Sequence, residues 1–220
     1  MVSISAAMKD FNLWDDAEKC TNSPFYPQLP DMNPGNLEWT YTMRRTMQEI
    51  IPGVFLGPYS SAISSKLETL QKSGITHIIC VRQNIEAHVI RPNFPQYFRY
   101  LVLSIADSPT ESIIQHFSAV RDFINSALEL GGKVLVHGNA GISRSAALVL
   151  AYIMGRYGLT FGQAFSFVQG KRFCINPNEG FIAQLMEYEP IYKAQVMQYS
   201  DSQSQSNPRN KRNFDAIDDR

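Results

Sequence analysis

Residues 134–154 read VLVHGNAGISRSAALVLAYIM, and the fold turns on how this stretch divides. Val134, Leu135 and Val136 form a short aliphatic run suited to a strand buried on both faces. Gly138 to Ile142 break that pattern. Ser145 to Met154 are apolar nearly all round, as a helix must be when it lies inside a domain. The loop between is therefore held at both ends by core. A loop that feeds a helix N-terminus presents unpaired backbone N–H groups and the positive end of the helix dipole, and Arg144 adds a planar five-donor cation beside them. These are the parts of an anion cradle.

The flanks supply the rest of an α/β pattern. Val54, Phe55 and Leu56 lie between Pro52-Gly53 and Gly57-Pro58, a strand bounded by turn signals. Ser64 or Ser65 caps a helix carrying Leu67, Leu70 and Gln71 up to Gly74, and Ile75 to Val81 is a further strand. Phe98 to Ile105 is another. Ser108, Pro109 and Glu111 fit a capping box with a first-turn proline, which places a helix over Thr110 to Leu130 with Ile113, Phe117, Val120, Ile124 and Leu128 on its buried face. Thr160 caps the next helix, and Asn178, after Pro177, caps the last, whose pattern fades near Met197. Met43, Met47 and Ile50 have helical spacing within Trp39 to Ile50. Strand, helix and strand in alternation predict a parallel sheet.

Two hundred and twenty residues, 44% of them hydrophobic, suit one compact domain with appendages. The domain is expected over 37–197. Residues 1–36, with Pro24, Pro27, Pro30 and Pro34, read as a flexible arm in which Phe11, Leu13, Trp14, Phe25 and Tyr26 are scattered aromatic and apolar residues; 198–220 reads as a disordered tail. Lys plus Arg and Asp plus Glu each total 20, so global charge favours neither a nucleic acid nor a membrane partner. Cys20, Cys80 and Cys174 are odd in number and lack metal-ligand spacing, so no metal or cofactor is expected and the compartment is read as reducing. With no leader pattern and no long apolar run, the chain is expected in the cell interior as a monomer. Arg209, Lys211 and Arg212 make at most a weak import patch, balanced by tail acids.

The spacing His-x-x-x-Gly-x-x-Arg-Ser over His137, Gly141, Arg144 and Ser145 resembles the signature of the protein tyrosine phosphatase superfamily. Segments 49–62 (EIIPGVFLGPYSSA), 74–84 (GITHIICVRQN), 98–111 (FRYLVLSIADSPTE) and 175–185 (INPNEGFIAQL) resemble successive parts of its dual-specificity phosphatase domain, over roughly residues 38–195. The resemblance implies a five-stranded, largely parallel sheet flanked by helices, and a shallow site indifferent to the phosphorylated residue type. It places the phosphate cradle at His137, Gly138, Asn139, Ala140, Gly141, Ile142, Ser143, Arg144 and Ser145. The family's nucleophilic cysteine, activated as a thiolate, follows the histidine; here that residue is Gly138. The family's general acid falls on Asp107, which reads equally as an acid favouring a helix start.

Glycine offers neither nucleophile nor proton, so the family's covalent route is closed. Ser143 and Ser145 are poor substitutes, because an alkoxide forms far less readily than a thiolate. In HGNAGISRSAA, MRRTMQEIIPGVFLGPYSSA and KRFCINPN the chain is similar to the inactive pseudophosphatases of the family. That implies binding to phosphoproteins or protein kinases of the mitogen-activated type, competition with active phosphatases, and an F-box ubiquitin-ligase adaptor as a further partner, in cytoplasm and nucleus. The alternative is a weakly active phosphatase that uses a non-cysteine nucleophile or water. Nucleotide P-loop and dinucleotide patterns are both absent.

Overall fold

The structure is a computed structural model that describes residues 26–30 and 39–205, with side chains as far as residue 195. The readings placed on Phe11, Leu13, Trp14, Cys20, Phe25, Arg209, Lys211 and Arg212 lie outside the described residues.

Five strands form one sheet: β1 (Gln48–Ile51), β2 (Val54–Pro58), β3 (Ile75–Arg82), β4 (Arg99–Ser104) and β5 (Lys133–Gly138), in the order β1-β2-β5-β3-β4. Only β1 runs antiparallel, as the outer half of a hairpin with β2. The others are mutually parallel. The helices among the described residues are α1 (Leu67–Lys72), α2 (Phe117–Glu129), α3 (Arg144–Tyr157), α4 (Phe161–Lys171) and α5 (Glu179–Gln205), with short 3-10 turns between.

β5 is central because it has hydrophobic layers on both faces. Val134 and Val136 join the larger core made with α2, α3, α4 and α5, while Leu135 points to a second core with Leu70, Ile78, Phe94 and Phe98. In α3 every residue from Arg144 to Met154 is buried, as its all-round apolar sequence requires. Gly158 ends it in the left-handed conformation at φ 68°.

Several expectations change. The spacing of Met43, Met47 and Ile50 yields no α-helix: a 3-10 turn at Tyr41–Arg45 leads directly into β1. The Pro52-Gly53 turn folds Gln48 to Ile51 back onto β2, and ladder hydrogen bonds outweigh the weak helical preference of so short a run. Ser64 and Ser65 lie in a 3-10 turn, and neither side chain caps α1. Ser108, Pro109 and Glu111 start no helix. They form a turn in which Glu111 N donates to Ser108 O at 3.1 Å. The α2 segment begins with a 3-10 turn at Ile114, where Gln184 from α5 caps it, its Oε1 accepting from Ile113 N (2.7 Å) and Ile114 N (3.1 Å). A distant amide thus replaces the local capping box.

The caps at Thr160 and Asn178 form as read: Gln163 N donates to Thr160 Oγ1 at 3.3 Å, and Phe181 N donates to Asn178 Oδ1 at 2.9 Å. The last helix continues to Gln205, past the expected end near Met197, since no Gly or Pro interrupts residues 198–205 and extending an existing helix is easier than starting one. Within the arm, Leu29 packs against the main core, and the Tyr26 ring lies directly over Gly158. At Tyr26–Pro30 the arm is therefore docked rather than loose.

Candidate functional site

β5 ends at Gly138 between Pro58 of β2 and the end of β3, and the chain turns through residues 139–143 into α3. The carbonyls of this turn all have donors outside it. Asn139 O accepts from Tyr59 N (3.0 Å), Ala140 O from Arg172 Nη2 (3.0 Å) and Gly141 O from Arg172 Nε (2.9 Å). Ile142 O accepts from Asn176 N and Ser143 O from Ala147 N, both at 2.8 Å. None of the N–H groups of residues 139–143 has an acceptor among the described residues. With the carbonyls tied outward, the N–H groups face a cavity of about 380 Å³ lined by the whole loop from Gly138 to Ser145 together with Asp107, Asn176 and Asn178. Successive inward N–H groups at a helix start form a nest for an anion.

Gly141 makes this turn possible. Its φ is +68°, and a Cβ there would lie 2.4 Å from Gly57 O, so only glycine fits. Gly138 differs. It has no left-handed φ, and a Cβ would meet Ser145 Oγ at 3.3 Å and Val81 O at 3.5 Å, contacts that small adjustments relieve.

Arg144, 7% exposed, supplies the cation. Glu86 takes one edge of the guanidinium, Nη1 donating to Oε2 at 2.6 Å and Nη2 to Oε1 at 3.0 Å, while Nη1 also donates to Ile105 O at 3.2 Å. The edge formed by Nε and the second Nη2 hydrogen remains for a ligand in the cavity. The hydrogen bonds from Arg144 hold the Glu86 carboxyl below its ordinary range against the opposing effect of burial.

Asp107 reaches the same cavity. Its Oδ1 accepts from Ser143 Oγ at 2.6 Å and from Asn178 Nδ2 at 2.9 Å, and Oδ2 stands 3.9 Å from Arg144 Nε. Asn178 thus has two tasks, capping α5 and fixing Asp107. His137 is fully buried, and its Nδ1 donates to Gly138 O at 3.2 Å, which assigns the proton to Nδ1 because a carbonyl can only accept. Burial lowers its pKa to about 4, so the ring is neutral at physiological pH. It supports the loop without adding charge. Cys80 is a buried β3 residue paired in register with His137, and burial pushes its thiol up to about 11, so Cys80 carries no thiolate at physiological pH.

The structure places Asp107 and the loop from Gly138 to Ser145 around one cavity, while His137 is buried at the end of β5 and does not line it. It adds two further residues. Glu86 comes from a 3-10 turn 58 residues before Arg144 and carries no local signal. Arg172, 0% exposed, follows α4 and holds the loop from behind; besides the two loop carbonyls its guanidinium donates to Thr46 O (2.9 Å), Arg44 O (3.2 Å) and Gln48 Oε1. Its only sequence signal is its place in KRFCINPN.

Comparison with known proteins agrees with this geometry. Residues 54–191 match the catalytic domain of dual specificity phosphatases. The chain is 64% identical over 171 residues to the human serine/threonine/tyrosine-interacting protein, covering 78% of this chain and 77% of that one. It is 62% identical over 171 residues to serine/threonine/tyrosine-interacting protein B of Xenopus laevis, with the same coverage. A crystal structure of the human tyrosine phosphatase-like serine/threonine/tyrosine-interacting protein superposes with a TM-score of 0.67 at 66% identity, over 68% of this chain and 99% of that one. A nest of inward N–H groups between β5 and α3, an arginine with one open edge, and these matches lead to one conclusion: the chain belongs to the dual specificity phosphatase family.

Proposed function

We propose that this protein is a non-enzymatic member of its family that binds phosphorylated or signalling proteins through the loop at residues 138–145. One observation carries the reading: five inward N–H groups and the open edge of Arg144 surround a cavity whose loop contains no cysteine. Hydrogen bonds to a charged group contribute about 1.5–3 kcal/mol each before ordering costs, which is ample for a phosphate dianion. A thiolate at position 138 would repel that dianion, and glycine does not. Asp107 supports the same view, because the carboxylate is held by Ser143 and Asn178 instead of standing free as a proton donor.

The partners inferred are phosphoproteins or protein kinases of the mitogen-activated type, with an F-box ubiquitin-ligase adaptor as a second class, in cytoplasm and nucleus. Similarity to relatives named as interacting proteins supports a binding role. The test is a titration with phosphoserine, phosphothreonine and phosphotyrosine peptides. The expected result is binding to all three that falls at least tenfold in Arg144→Ala, the scale of one charged hydrogen bond. Equal binding by Arg144→Ala would remove the phosphate-dependent reading, and kinase capture insensitive to millimolar free phosphate would point to a different surface. Imaging of the tagged chain tests the compartments.

A further inference from the structure

The two edges of the sheet are finished differently. β1 is four residues long, and its pairing with β2 slips between Glu49 and Ile51, an irregularity that spoils an edge as a template for another strand. β4 pairs with β3 in unbroken register from Arg99 to Ser104. Its sequence, RYLVLS, has no proline, no lysine and one charge, at the first position. From Tyr100 to Ser104 it carries none of the residues that ordinarily guard an edge.

Ile105 N donates to Arg82 O at 3.0 Å, which sets the direction of the backbone groups along β4. That direction alternates, so Leu101 and Leu103 turn theirs toward β3 while Tyr100, Val102 and Ser104 turn theirs outward. The outward N–H and C=O groups have no partner among the described residues. Val102 is 40% exposed, and Ile85, Val89 and Tyr97, also exposed, lie in the crossover from β3 to β4. Ser104 Oγ donates to Asn84 Oδ1 at 2.9 Å, which holds the turn at Asn84–Glu86 beside the end of the strand. The open edge is thus bordered by apolar surface.

The sequence of β4 selects its own copy as the strand to be added. Turned antiparallel about a twofold axis at Val102, a second β4 sets Val102 opposite Val102, Tyr100 opposite Ser104 and Ser104 opposite Tyr100, and each is a pair that exchanges both backbone bonds. Between them Leu101 faces Leu103. Arg99 faces Ile105, so no like charges meet. A shift of two residues either way, the smallest that keeps each face on its own side, puts Tyr100 or Ser104 opposite a residue beyond the strand.

We propose that β4 is a self-association edge, pairing antiparallel with β4 of a second copy of this chain and joining two five-stranded sheets into one. The parallel strands of each copy end at its own cavity, and the copies run in opposite directions. The cavities therefore open at opposite ends of the joined sheet and both stay accessible. The protein presents two sites at once, in place of the single chain read from the sequence, and the pairing does not depend on what those sites bind.

The experiment is sedimentation of the full chain from micromolar to near-millimolar concentration, for wild type, Val102→Pro, Val102→Lys, Val102→Glu and an equimolar mixture of the last two. Wild type is expected to move from one chain toward two as concentration rises. Val102→Pro removes the outward N–H at the axis and leaves the β3 ladder whole, so it should weaken association about tenfold or more, the scale of a pair of backbone bonds. Val102→Lys and Val102→Glu each set like charges face to face across the axis and should weaken it about tenfold or more, while their mixture regains the wild-type mass because opposite charges now meet. The proposal is overturned by a wild-type mass of one chain throughout, which leaves the edge to an extended segment of another protein. It is overturned equally by a dimer that the Val102 variants do not weaken, which assigns association to another surface, or by a Lys and Glu mixture no heavier than its parts, which rules out Val102 on the axis.

Discussion

Arg144 and Arg172 are both buried, and they serve the two faces of one short turn in opposite ways. Arg144, on the cavity side, is paired with the Glu86 carboxylate and keeps a guanidinium edge open. Arg172, behind the turn, has no carboxylate partner among the described residues and makes all its contacts with neutral acceptors from two separate stretches, residues 44–48 and 140–141. The pair shows how a fold separates recognition from construction. A paired arginine can be aimed at a ligand; an arginine bound only to backbone and amide oxygens defines where the backbone runs. Burial lowers Arg172 from its ordinary pKa, yet a guanidinium stays charged, so it also adds positive potential behind the nest.

The contrast can be pressed from either side. The largest expected effect is a gain. Gly138→Cys places a thiol at the α3 N-terminus within reach of Ser145 Oγ, in a position that accepts a Cβ. If the front face is as preformed as its hydrogen bonds indicate, hydrolysis of a small aryl phosphate should appear from an undetectable baseline; continued inactivity would show that the nest or Asp107 is out of place.

Next is the back face. Arg172→Met strands five acceptors and should lower stability by about 3 kcal/mol or more, a melting temperature roughly 6–12 °C lower by calorimetry. Arg172→Lys should restore little of it, because an ammonium cannot reproduce the planar fork. A Lys variant with wild-type stability would contradict the role given to the back face. The front-face counterpart is Arg144→Lys, which keeps a cation beside Glu86 but loses the second edge. Phosphate affinity should fall about tenfold while the melting temperature moves far less than in Arg172→Met. If the two variants shift stability alike, the division between the faces dissolves.

The smallest effect concerns the neutral support under the loop. His137 stays unprotonated in the fold down to about pH 4, whereas the unfolded chain takes up its proton near 6.5, so the unfolded state binds more protons between these values. Its contribution is whole above pH 6.5 and declines as pH falls toward 4. Melting temperature plotted against pH should drop less steeply in His137→Gln over that window; parallel curves would mean His137 is not the group responsible. His77 and His116 are also shifted down by burial and contribute to both curves, so the difference between them is the quantity to read.

Local chemistry made much of this fold legible. β5 and α3 follow from an aliphatic run and an all-round apolar helix, and the caps at Thr160 and Asn178 need only their own neighbours. The failures share a cause. The capping box at Ser108 lost to Gln184, whose amide arrives from 70 residues away, and Pro109 packs so closely on Gly180 that a Cβ there would fall 1.9 Å from the Pro109 carbonyl oxygen. Helical spacing at Met43 to Ile50 lost to pairing with β2. At the site, the loop residues and Asp107 were readable because the motif is contiguous or adjacent to a strand end. Glu86 and Arg172 were not, because what makes them functional is a partner brought close only by the completed sheet.

Arg172 also bears on when the cradle comes into being. Every residue of the loop has been synthesised once the chain reaches Ser145, but the side chain that turns Ala140 O and Gly141 O outward arrives only after α4 is complete. A nascent or truncated chain ending before residue 172 carries the entire motif in its sequence and lacks the clasp that shapes it. Such fragments, however well they match the signature, should be blind to phosphate until α4 has folded back and delivered its last turn to the sheet.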